Sequence, residues 1–140
     1  MAYAAQADLE ARASAADVLL VFDRDGDGAV DATALAAALA DADAEIDSYL
    51  GARYSLPLAE TPAILVRIAC DVALYRGAHT VDALTEEILQ RYEDAIELLE
   101  KIVEGKAALG LDDPQPEADG TVHYTSADWV ITRSNLAGIF

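Results

Sequence analysis

Apolar and polar positions follow a helical rhythm nearly from the start of the chain. From Gln6 to Phe22 the residues Leu9, Val18, Leu19 and Phe22 fall inward, and Asp8 and Ser14 are placed as caps, which predicts one or two short helices. Asp23 to Gly28 interrupts the rhythm. It returns from Asp31 to Arg53, where Leu35, Leu39, Ala42, Ile46, Tyr49 and Leu50 recur at helical spacing. Asp41, Asp43, Glu45 and Asp47 lie mostly off that stripe, so a long helix with one wet face is expected. Pro57 and Pro62 mark an extended loop, and Pro62 suits the first turn of a helix running to about Tyr75. There Ile64, Leu65, Ile68, Val72 and Tyr75, with Ala69 and Ala73 between them, form the most continuously apolar run. This predicts the central helix of a bundle, with Arg67, Asp71 and Arg76 on its polar side. Gly77 to Val81 reads as a turn. Asp82 or Thr85 then caps a last long helix, which Gly105 stops after Glu104. Its inward stripe is Leu84, Ile88, Tyr92, Ala95, Ile96, Leu99 and Ile102, and Glu87–Arg91 and Glu97–Lys101 are surface pairs four residues apart.

Beyond Lys106 the rhythm changes. Gly110, Pro114, Pro116 and Gly120 punctuate an acidic stretch, and Val122 to Tyr124 and Trp129 to Thr132 alternate like short strands. The expected fold class is therefore all-α: a small bundle of four to five helices over residues 1–105. Residues 106–140 form a linker and an extended C-terminal arm, the one place where a short β-hairpin is expected. Trp129, Ile131, Arg133, Leu136, Ile139 and Phe140 make that arm too apolar for a solvated end, so it folds back or binds a partner.

Composition sharpens this picture. A chain of 140 residues with 54% hydrophobic content closes the core of one domain without obligatory disulfides or metals. Much of that content is alanine, against six tyrosines, two phenylalanines and one tryptophan, which favours helices packed closely through small residues. A formal charge of −17, from 26 acidic and 9 basic residues, excludes a surface that tracks nucleic-acid phosphates, because such binding requires Lys and Arg to displace counterions. Cys70 is the only cysteine and lies in the apolar run, where it reads as structural. The opening Met1-Ala2-Tyr3-Ala4 shows neither a secretion signal nor the start of a membrane span, so no membrane partner is expected. His79 and His123 stand in no pairing motif, and phosphate loops, metallohydrolase motifs and nucleophile elbows are absent. The expectation is a protein that is not an enzyme and requires no cofactor.

One motif carries chemistry. Asp23-Arg-Asp-Gly-Asp-Gly-Ala-Val-Asp31 matches the start of an EF-hand-type loop, with carboxylates from Asp23, Asp25, Asp27 and Asp31, the Ala29 carbonyl as a further oxygen, and Gly28 at the sharp turn. Ala34 stands where a bidentate glutamate closes such a loop, so the expected site is a weak calcium site. The plainer alternative is an acidic interhelical turn in which Asp31 caps the next helix.

Several stretches together resemble the phage protein gp36 family of Mu-like phages and prophages. They are Met1-Ala-Tyr-Ala with Asp8-Leu9, the acidic loop, Ala44 to Leu58, Leu65 to Arg76, Arg91 to Ala95, and Thr132 to Phe140. The resemblance implies a virion protein of the head-tail neck, assembled in the host cytoplasm. It would be an adaptor forming a homo-oligomeric, dodecameric ring between the portal and the next neck or tail-completion protein. DNA would pass through its lumen without specific binding. Rival expectations are a tail-completion or tail-terminator protein of the same neck, a free-standing calcium-binding helical module, and a regulatory helical domain of an enzyme.

Overall fold

Five helices and no strand account for the regular structure of residues 1–111, the part of the chain that this computed structural model describes. They are α1 (Gln6–Arg12), α2 (Ala15–Phe22), α3 (Ala32–Leu50), α4 (Ala63–Thr80) and α5 (Glu86–Val103). The all-α bundle read from the periodicity is the observed fold. The expected β-hairpin lies outside the described residues.

Most helix starts are set by local chemistry. Ser14 Oγ accepts from the Asp17 N–H at 3.1 Å, Asp31 Oδ1 from the Thr33 N–H at 2.9 Å, and Thr85 Oγ1 from the Ile88 N–H at 3.2 Å, each satisfying an amide with no intrahelical partner. Asp8, expected as a cap, instead lies inside α1 and reaches back to accept from the Ala5 N–H at 2.8 Å. Asp82 is not a cap either; it adopts a left-handed φ of 56° between α4 and α5.

α4 is the centre of the bundle, as its apolar run predicts, and it packs against each of the other four helices. Leu65, Ile68, Val72, Ala73, Leu74 and Ala78 are all buried on it. From Ile68 to Leu74 every residue is buried, so that stretch needs no polar stripe, while Arg67 and Arg76 on either side of it reach solvent. The helix does not end at Tyr75 but continues through Gly77 to Thr80. Gly77 is not a turn glycine. A Cβ there would stand 2.5 Å from Cε1 and Cζ of Phe22 and 2.7 Å from Cγ1 of Val21, so the missing side chain lets α2 lie against α4. The same packing buries Val21, while Leu19 is only half-buried. Leu84 precedes α5 and is exposed, because α5 starts two residues later than its stripe predicts.

The wet face expected for α3 is only partly wet. Asp43 accepts from the Tyr3 N–H at 3.0 Å, Asp47 accepts from the Tyr3 hydroxyl, and Glu45 faces α4 and α5. The N-terminal segment and two helices cover a flank that α3 alone would leave in water. Residues past α5 also rejoin the core, where Leu109 is buried. None of the described helices is long and apolar enough to cross a membrane.

Candidate functional site

The loop between α2 and α3 is organised by its own aspartates. Asp23 Oδ1 accepts from the N–H groups of Gly26 at 2.7 Å and Asp27 at 3.1 Å, and Oδ2 from Gly28 at 2.9 Å. Asp25 Oδ1 accepts from the Asp27 N–H at 3.2 Å, and Asp27 Oδ1 from the Ala29 N–H at 2.8 Å. Gly26 and Gly28 hold φ of 75° and 82°, which curls the chain without Cβ strain. The Asp31 N–H donates to the Phe22 carbonyl at 2.8 Å and pins the loop's two ends together.

One oxygen from each of Asp23, Asp25 and Asp27 lies within 4.8 Å of the others, a spacing that hard cations tolerate and bare carboxylates resist. Partial desolvation opposes the charge of Asp23, yet the Gly28, Gly26 and Asp27 amides together hold its carboxyl below the usual range. Asp25 also gains from the Asp27 amide, but desolvation and the adjacent carboxylates push it up. Asp31 turns away from that triad to cap α3.

A second set of charges, missed by the periodicity reading, sits between helices. Glu45 Oε2 accepts from Arg76 Nη2 at 2.7 Å and Nε at 3.2 Å, while its Oε1 accepts from the Tyr92 hydroxyl at 2.8 Å. Tyr92 stacks on Tyr75 at 3.9 Å between ring centroids. Burial first, and then the bond to Glu45, pushes the Tyr92 phenol up to about 12. Asp71, expected on a polar face, is buried; it accepts from Arg91 Nη2 at 2.6 Å and Nε at 3.0 Å, with Arg67 at 3.7 Å. Arg91 thus pairs with Asp71 on α4, where the sequence spacing suggests Glu87. Glu97 and Lys101 do pair, at 2.6 Å. These contacts tie α3, α4 and α5 together, and in the sequence they show only as charges lying near the helical seams. Cys70 is buried in α4, and burial pushes its thiol up to about 11, which keeps the reactive thiolate scarce.

Trp129, Ile131, Arg133, Leu136, Ile139 and Phe140, the expected partner-binding residues, lie outside the described residues.

The pattern of the family described as Bacteriophage Mu, Gp36 matches residues 3–126. The chain belongs to this family. Among its Gp36 relatives is the Mu-like prophage FluMu protein gp36 of Haemophilus influenzae, 41% identical over 95 residues, which are 66% of each chain. Gene product J of Escherichia phage Mu is 35% identical over 137 residues, covering 95% of this chain and 96% of its own. The Gp36 match takes in all five helices, the acidic loop and the Glu45 and Asp71 pairs, and it stops before Trp129.

Proposed function

We propose that this Gp36 protein is a structural, non-catalytic virion protein of a tailed phage: a head-tail connector that forms a closed ring below the portal. The observation that carries the reading is the family match across the whole helical unit. A second feature supports it. α5 turns Glu86, Glu87, Glu93, Asp94, Glu97 and Glu100 outward, relieved on that face only by Lys101 among charged residues. Such a face lining a channel repels the duplex backbone and lets DNA pass without sticking. The protein's place would be the virion neck, with a copy number of twelve implied by the resemblance. The portal would lie on one side and the next neck or tail-completion protein on the other. A reconstruction of the neck from purified particles tests this directly: density for a cyclic assembly of this chain is expected. A single copy, or a location away from the neck, overturns the reading; a ring at the tail end of the neck makes the protein a tail terminator.

The convergence of Asp23, Asp25 and Asp27 favours a second, smaller proposal, a weak calcium site that stiffens the α2–α3 loop. A ligand that binds only the folded chain raises its melting temperature by mass action. Millimolar calcium should raise the Tm of the wild type, and an Ala34→Glu variant, which completes the ligand set, should respond at lower concentration. If only the variant responds, the wild-type loop is a turn.

A further inference from the structure

Leu20 on α2 is 65% exposed, far more than any other large apolar side chain among the described residues. It stands at the edge of a cleft of about 160 Å³ between α2 and the start of α5, with Val21, Leu74 and Ile88 also lining it. A space of roughly this size accommodates one aromatic ring, and Leu20, Val21, Leu74 and Ile88 give it an apolar side, with Thr85 and the charged residues on the other. The cleft's charged residues are Asp17, Glu87 and Arg91, and Arg91 is already held by Asp71. What remains toward solvent is acidic.

The sequence contains one segment with the complementary chemistry. Past Lys106 the only Lys or Arg is Arg133, and it follows Trp129 by four residues in the apolar run that ends the chain. We propose that the α2–α5 cleft receives the C-terminal segment of a second copy, with the Trp129 ring in the apolar floor and Arg133 against Asp17 and Glu87. Trp and Arg are the residue types that most often dominate interface energetics. The groove between α3 and α4 lacks this complementarity, because it presents Arg24 and Arg76 against a single Asp41. Cleft and segment are different surfaces of one chain, so each copy gives one and receives one, the head-to-tail kind of contact from which a cyclic ring is built. The inference thus rests on the connector reading and supplies its subunit contact.

The test mixes two full-length chains, a size-tagged Leu20→Cys variant and an untagged Val130→Cys variant, under mild oxidation. Cys70 stays in place as a buried thiol. A disulfide-linked pair of unequal chains is expected. Adding Trp129→Ala should lower its yield about tenfold or more, as should Asp17→Lys with Glu87→Lys, and Arg133→Glu should restore the yield in the latter case. Two results overturn the proposal. One is no mixed pair while a chain carrying both cysteines closes on itself, which means the segment folds back. The other is no disulfide in either format. A ring in the neck map without this cross-link sinks the contact and keeps the connector. The cross-link in a protein absent from the neck does the reverse.

Discussion

In the α2–α3 loop, Gly26 and Gly28 hold left-handed backbones with open space where a Cβ would go, and the aspartates accept from amides two to five residues away. In α4, Gly77 has ordinary helical geometry and is required because Phe22 and Val21 occupy the place of its side chain. There Asp71 accepts from an arginine twenty residues on, in another helix. Both regions use the same two residue types. The loop uses them to satisfy its own backbone, and the bundle uses them to bring separate helices together. The contrast predicts that substitutions at the helix seams act through distant partners, whereas loop substitutions act only where they are made.

The strongest test removes the partner of the buried carboxylate. Arg91→Met leaves Asp71 with Arg67 alone at 3.7 Å, and breaking such a pair costs about 3 kcal/mol, toward the low end of its range because Arg91 is one-third exposed. Urea denaturation should show that loss, and Asp71→Leu added to Arg91→Met should recover most of it. Failure to recover would mean that the pair is not the source.

Gly77→Ala comes next. An alanine in an open helix gains about 1 kcal/mol over glycine, but overpacking a closed core costs about 1–3 kcal/mol. Phe22 is fully buried and cannot retreat, so the cost falls in the upper part of that range and a net loss of up to about 2 kcal/mol is expected, partly relieved by Phe22→Leu. A stabilised Gly77→Ala protein would break the comparison. Gly28→Ala should lose about 1 kcal/mol from its positive φ alone, with no second site able to rescue it.

The smallest effect is in alkali. The folded-state pKa of Tyr92 is raised above the unfolded value of 10.0, so its contribution is complete below pH 10 and is lost as pH rises toward about 12. Thermal melts between pH 9 and 12 should fall less steeply for Tyr92→Phe than for the wild type. Equal slopes would remove Tyr92 from the seam's energetics.

Helix existence was legible because amphipathic spacing and caps are local: Ser14 and Thr85 each bond an amide three residues away. The acidic loop was legible for the same reason, although Asp31, expected among the ligands, takes the plainer alternative role of a cap on α3. Where two short-range signals competed, the tertiary context chose. Gly77 followed by Ala78 reads as a helix end until Phe22 is brought against it. Glu87, four residues before Arg91, is the partner that spacing favours, but packing brings Asp71 from twenty residues away, strips water from it and makes its pairing the one that matters.

By itself, then, the sequence determined the all-α bundle, the centrality of α4 and the acidic turn between α2 and α3, because each depends on residues within a few positions of one another. Only the tertiary structure decided the partners of Glu45 and Asp71, the close passage of α2 over Gly77 and the cleft beneath Leu20. Those depend on which helix faces meet, and the energy of a buried charge or a missing Cβ is set by the neighbour across the seam, which no spacing along one chain records.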